Sequence, residues 1–254
     1  MAEEVLMDVT DGILTVTLNR PKARNAANKA LAEGVAAAMD RLDSDDSIRV
    51  AILTGAGGTF CSGMDLKAFV TGETPNVEGR GFAGLTEATP RKPLIAAVEG
   101  YALAGGLELA ISCDLIVAAD DAKFGIPEVK RGLAAAAGGL IKLPRQIPKR
   151  LAMELALTGD FISAQRAYDI GLINEVVPAG TALEAAKALA ARIVANGPLA
   201  VEISKQVVLQ SEDWSADEMW QKQQELTMPV FISEDAIEGS VAFAEKRAPN
   251  WKGK

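Results

Sequence analysis

The chain contains no histidine in 254 residues. That excludes a Ser-His-Asp triad, a Cys-His pair, an HExxH zinc site and any imidazole proton shuttle. Acid-base chemistry near neutral pH must then come from perturbed carboxylates, lysines, tyrosines or thiols. Cysteine is almost as scarce. Cys61 and Cys113 are too few for a zinc cluster and too far apart for CxxC redox chemistry, so they read as reduced small hydrophobes of a cytoplasmic protein with no metal site. Positive charge is in deficit, with 26 Lys plus Arg against 34 Asp plus Glu and a net charge of −8. An acidic surface disfavours nucleic acid and anionic membranes as partners. Long apolar runs are missing too. The richest stretch, residues 94–119, is broken by Glu99, Glu108 and Asp114, short of the ~20 apolar residues a bilayer requires. Glu3, Glu4 and Asp8 stand where a secretory signal would carry basic residues.

What is present is a well-filled core: 49% of residues are hydrophobic and 24% charged, the balance of one globular unit. Residues 12–18 (GILTVTL), behind the turn-forming Asp11-Gly12, pattern as the second strand of a hairpin with residues 5–9. Residues 28–42 place Leu31, Val35, Met39 and Leu42 on one helical stripe. Short apolar strands at 50–54, 94–98 and 115–118 alternate with helix-compatible sequence, which predicts an α/β class with crossover connections. From residue 151 the pattern is helical: 151–157, 164–170, 181–195, 199–210, and 216–244 in at least two pieces. We divide the chain into a core, 1–195, and a C-terminal helical region, 196–254, with no linker between them.

Two glycine-rich segments imitate nucleotide loops and fail. Gly55-Ala56-Gly57 follows a strand, but Phe60 stands at the third fingerprint glycine. Residues 58–63 have P-loop spacing, but Met64 and Asp65 occupy the Lys and Ser/Thr positions, and an aspartate there repels a triphosphate. Gly63-Met64-Asp65 and Gly105-Gly106-Leu107 share a different context, each following a buried strand at the start of a predicted helix. Unpaired N–H groups and partial positive charge collect there. Glycine lets a ligand oxygen approach two such donors, as an oxyanion hole requires, and plain turn chemistry is the alternative.

Two carboxylates sharpen the choice. Glu108 lies within the apolar run LELAIS, where an ionised group is costly without a partner or a chemical role. Glu128 follows Phe124-Gly125-Ile126-Pro127, an apolar turn that desolvates it and pushes its pKa upward. They read either as an acid-base pair or as buried salt-bridge partners of Arg131 or Lys130.

At this point whole segments carry a resemblance: LNRPKARNA (18–26), AILTGAGGTFCSGMDLK (51–67), the stretch 92–133 around GYALAGGLELAISCDLIVAADDAKFGIPEVKRGL, LTGDFISAQRAYDIGLINEVVP (157–178) and FAEKR (243–247). The chain resembles the crotonase, or enoyl-CoA hydratase/isomerase, superfamily. The resemblance implies an α/β fold built as a spiral of ββα repeats, with C-terminal helices that mediate homotrimers, commonly paired into hexamers. It also implies backbone oxyanion donors at Met64 and Gly105. Glu108 would orient and activate a water, and Glu128 would exchange the proton at the α-carbon of an acyl-CoA thioester. Coenzyme A would enter as part of the substrate, with no separate cofactor. Family isomerases typically keep the carboxylate at the Glu128 position alone, so having both favours hydration of a 2-enoyl-CoA.

The same mapping sets Arg24 and Lys67 near the nucleotide end of CoA, and backbone around Ser62, Asp65 and Leu66 at the adenine. Phe243 and Lys246 would reach a neighbouring subunit's CoA. Hydratases of the family usually have a Pro-Gly pair where this chain reads Leu133-Ala134-Ala135-Ala136-Ala137-Gly138-Gly139. The expectation there is that the Ala136 N–H positions the water. GFAGLTE (81–87) and residues 233–253 resemble the family's carnitinyl-CoA dehydratases, so that activity and the 3-enoyl-CoA isomerase are the alternatives. The acyl pocket is expected between Phe69 and Leu85, a segment whose composition predicts mobility. An RNA-binding scaffold, a branch of the family, is opposed by the charge of −8 and the retained glutamates.

Overall fold

A computed structural model describes residues 3–254. It opens on an antiparallel hairpin, β1 (Val5–Thr10) and β2 (Ile13–Leu18), turned at Asp11 and Gly12, both at the positive φ that a two-residue hairpin turn requires. Helix α1 (Lys29–Ser44) starts where the Asn28 side chain accepts the Leu31 N–H, and it buries the Leu31, Val35, Met39 and Leu42 stripe.

The chain then winds in turns of similar plan. The first holds β3 (Val50–Gly55), a single bridge at Cys61, and α2 (Leu66–Val70), followed by a small hairpin, β4 (Asn76–Val77) with β5 (Gly81–Phe82). The second holds β6 (Leu94–Val98), β7 (Tyr101–Leu103) and α3 (Gly105–Ala110). The third holds β8 (Leu115–Ala119), β9 (Lys123–Gly125), a 3-10 turn at Pro127–Arg131, α4 (Gly139–Gln146) and α5 (Lys149–Thr158). The last holds β10 (Ile162–Ser163), α6 (Ala164–Asp169) and β11 (Glu175–Val177), then α7 (Ala182–Val194). Helices α8 (Pro198–Gln210), α9 (Met219–Phe231) and α10 (Glu234–Glu245) complete the chain.

Each turn adds one strand to a large sheet, ordered β1-β2-β3-β6-β8-β11 and parallel from β2 onward, and one to a small sheet, ordered β10-β9-β7. Cys61 extends the small sheet by its parallel bridge to Ala102. This is the spiral the family resemblance implies. Strand and helix alternation alone predicts a single layered sheet, because β7 and β9 are too short to announce a second one. Residues of β3 face alternate sides. Ala51 and Leu53 join the main core, whereas Val50 and Ile52 pack with Ile95, Val117, Ala186 and Ala190 under α7. Such fully buried parallel strands read as continuous apolar runs.

The C-terminal helices are packed differently. α9 has no buried residue, and Trp220, Phe231 and Phe243 are 69%, 74% and 87% exposed. Asp235 is buried and accepts the Lys252 and Gly253 N–H groups at 2.7 and 2.8 Å, which fastens the tail. The helical pieces expected in 216–244 are α9 and α10, broken at Ile232. Helix α4 is an addition to the sequence reading, since Gly138-Gly139 and Pro144 punctuate it. Among the described residues no helix is long and apolar enough to cross a membrane.

Candidate active site

A cleft of about 710 Å³ is lined by residues of the first three turns of the spiral. Glu108, on α3, forms part of its floor and is 2% exposed. Its Oε1 accepts the Gly139 N–H at 2.9 Å, at the first residue of α4. Burial pushes the carboxyl up to about 7, the Glu128 charge adds to that rise, and the N–H groups of Gly139 and Ala137 and the ammonium of Lys142 oppose it. Glu128, half-buried in the 3-10 turn, lines the same cleft, and burial raises its carboxyl also, against its own N–H and the Arg131 charge. Its Oε2 is buried without a hydrogen-bond partner among the described residues. Neither glutamate forms an ion pair there, and Lys130 pairs instead with Asp160 at 2.6 Å. The pair is therefore free to hold and exchange a proton. Each carboxyl therefore holds its proton to higher pH than an ordinary glutamate does.

The cleft wall above them is built from two abutting segments. Ala104 holds φ 53° and ψ −129°, a strained conformation for a residue with a Cβ, and it turns the chain from β7 directly into α3. Gly105 follows as the first helical residue, with Phe82 so close that a Cβ there would lie 2.5 Å from the ring. Across from it Gly63 has φ 101°, and a Cβ on it would stand 2.8 Å from the Ala104 Cβ and 3.2 Å from the Gly105 nitrogen. Ala27 donates to Gly63 O and accepts from Asp65 N–H, which turns the Met64 N–H to the opposite side. The Met64 and Gly105 N–H groups have no acceptor among the described residues, and both residues line the cleft.

The mouth carries Lys22, Arg24 and Lys67 beside Ser62, Asp65 and Leu66. Arg24 sits at φ 51° with its guanidinium 5.9 Å from the Tyr101 ring centroid. Asp65 acts locally, capping α2 through the Lys67 and Ala68 N–H groups and pairing with Arg20 at 2.9 Å. Sequence reasoning passes over Asn25, fully buried at φ 54°, which holds the mouth by donating to Ala56 O and Thr59 O. Asparagine tolerates that backbone region, which is the signal available in the sequence.

Three expectations need correction or extension. The Ala136 N–H is engaged by the Ala134 carbonyl at 2.8 Å, a tight turn that the missing Pro-Gly pair leaves free to form. Gly139 and Ala137 provide the donors that face Glu108 instead. Phe243 and Lys246 lie at the end of α10, and Phe243 lines a separate cavity of about 420 Å³ with Trp251, so neither joins this chain's own cleft. From the segment expected to line the acyl pocket, Phe69 and Phe82 line the cleft, and α2 and the β4–β5 hairpin give that segment regular structure. Glu87, Leu133 and Phe161 join them from outside that segment. No group of three or more Cys, Asp or Glu poised to hold a metal occurs among the described residues.

The chain is similar to known proteins over nearly its whole length. The family described as Enoyl-CoA hydratase/isomerase matches residues 8–254. Enoyl-CoA hydratase EchA19 of Mycobacterium tuberculosis is 44% identical over 99% of this chain and 97% of its own length. Carnitinyl-CoA dehydratase of Proteus mirabilis is 39% identical over the whole of both chains. The crystal structure of an enoyl-CoA hydratase from Mycobacterium tuberculosis H37Rv superposes with a TM-score of 0.98 at 60% identity, covering 99% of this chain and all of that one. With its two-sheet spiral, its facing glutamates and these full-length matches, the chain has the crotonase fold and belongs to the enoyl-CoA hydratase/isomerase family.

Proposed function

We propose that the protein is an enoyl-CoA hydratase, adding water reversibly across the α,β-double bond of a trans-2-enoyl-CoA. The observation that carries this reading is the pair Glu108 and Glu128, both raised by burial, on one cleft with two unpaired backbone donors. The thioester oxygen accepts from the Met64 and Gly105 N–H groups, which stabilise the negative charge as it develops there. Water adds its oxygen to the β-carbon while its proton passes to Glu108. The electron pair of the double bond moves to the thioester oxygen as an enolate, and the α-carbon then takes a proton from Glu128. The pair begins and ends with one proton, carried on the other carboxyl at the end, so water and thioester balance the reaction without a redox group.

Arg24 and Lys67, at the mouth, serve the phosphates of CoA, with the backbone around Ser62, Asp65 and Leu66 at the adenine. The exposed apolar faces of α9 and α10 support assembly as a homotrimer or a hexamer of paired trimers, with Phe243 and Lys246 against a neighbour's CoA. A second reading, carnitinyl-CoA dehydratase, has the same bond chemistry. It is favoured by Glu87 beside Phe69, Phe82 and Phe161 on the acyl side, a setting that accepts a cationic acyl group.

The test is loss of the conjugated-enoyl absorbance with crotonyl-CoA and with crotonobetainyl-CoA. Rapid loss with crotonyl-CoA is expected, reduced about a thousandfold in both Glu108→Gln and Glu128→Gln. A wild type active on crotonobetainyl-CoA alone selects the second reading. A Glu108→Gln variant that still converts a 3-enoyl-CoA marks an isomerase.

A further inference from the structure

Lys142 is a cation to which the proposed chemistry gives no role. It projects from the first turn of α4 and is half-buried. Its Nζ donates to the Thr86 carbonyl and to Ser112 Oγ, both at 2.7 Å, and Ser112 Oγ donates to the Glu108 carbonyl at 2.7 Å. One ammonium thus ties together three parts of the cleft. These are the end of α3 that carries Glu108, the start of α4 whose Gly139 N–H holds that carboxylate, and the 81–87 segment that sets Phe82 and Glu87 on the acyl side.

Both of its acceptors are neutral, and it makes no ion pair among the described residues, so its charge remains uncompensated at contact distance. A half-buried ammonium in that position is costly unless its field acts on something. The charged and titratable groups that face it are Cys113, Glu108 and Glu87. Those that face Glu108 are Glu128, which opposes its ionisation, and Lys142, which favours it.

We infer that Lys142 is a positioning residue for Glu108: through Ser112 it fastens the Glu108 main chain, it locks the α3–α4 junction against the 81–87 side of the cleft, and its charge favours the ionised carboxylate held there. The inference deepens the hydratase reading and rests on it for its catalytic meaning. Without Lys142, Glu108 is left facing Glu128 alone and ionises later as pH rises.

Lys142→Met keeps the stem and removes the charge, and Lys142→Gln serves if that variant does not fold. The Glu108 carboxyl is followed by 13C NMR on glutamate-labelled protein, assigned with E108Q, so its titration is read without turnover. The expected midpoint moves up from about 7 by about one unit, and Lys142→Arg restores it. The acid limb of kcat/KM for crotonyl-CoA moves by the same amount. At pH 7, kcat falls about fivefold while KM changes less than about twofold. An unmoved Glu108 titration, or a loss of kcat equal at every pH, overturns the inference. If wild type hydrates no enoyl-CoA while the Glu108 midpoint still moves, the coupling is upheld and the hydratase reading is what fails.

Discussion

Glu108 on α3 and Glu238 on α10 are the same residue type put to opposite uses. Burial lifts Glu108 to about 7, and no cation bonds to it directly. Glu238, near the surface, accepts from Arg247 at 2.6 Å and from the Asn250 N–H at 2.6 Å, and falls to about 2. The apolar residues divide the same way: β3 is buried almost throughout, whereas α9 buries nothing. The spiral core closes on itself and leaves two carboxyls underpartnered inside. The C-terminal helices satisfy their charges locally and leave apolar side chains uncovered. Underpartnering marks chemistry in the first region and an interface in the second.

Packing gives the strongest way to break this contrast. Leu53→Ala, at a fully buried site, is expected to cost about 3 kcal/mol in urea unfolding. Phe231→Ser is expected to change subunit stability by less than about 0.5 kcal/mol while lowering the assembled mass in sedimentation velocity. Equal destabilisation by both would dissolve the distinction.

The buried carboxyl comes next. Folded Glu108 keeps its proton up to about 7, whereas the unfolded chain releases it near the ordinary glutamate value of 4.5. Where the folded state binds more protons, stability falls as pH rises, so the loss accrues between those two values. Glu108→Gln, whose amide oxygen still accepts from Gly139, is expected to be more stable than wild type by about 3 kcal/mol at pH 8 and by nothing at pH 4, although the proposed hydration is lost. A difference independent of pH would place the effect in packing instead.

Two smaller effects sharpen the C-terminal side. Phe243→Ser is expected to raise KM for a CoA thioester roughly threefold with kcat unchanged if the proposed contact to a neighbour's CoA is made. No change would confine the C-terminal helices to assembly. Glu238→Ala removes the acceptor of the Asn250 amide, and hydrogen exchange there is expected to quicken roughly fivefold at pH 7. The same ion pair favours the folded tail above the ordinary glutamate range, and that contribution is lost as pH falls toward about 2.

Glu108 and Glu128 are legible in the sequence because ionisable groups in apolar surroundings carry an energetic signal, and the glycines at 63 and 105 because close backbone approach excludes a Cβ. The α/β class is legible from strand and helix alternation. The spiral is not: it depends on β7, β9 and the lone bridge at Cys61, each too short to show periodicity, and the family resemblance alone implies it. Lys142 is illegible for another reason. Its neighbours Thr86 and Ser112 are 56 and 30 residues away, so only the folded chain shows that it stands behind Glu108. The Ala136 N–H is misjudged because one hydrogen bond inside a tight turn decides where it points.

The bridge between Cys61 and Ala102 has a metric consequence. Three residues beyond each partner stand Met64 and Gly105, past the points where Gly63 (φ 101°) and Ala104 (φ 53°) turn the two segments off the strand direction. Neighbouring strands lie about 4.8 Å apart. The bridge thus sets the two segments side by side, and the close fit of Gly63 against Ala104 and Gly105 carries that spacing on to the proposed donors, so a side chain at position 63 would force them apart.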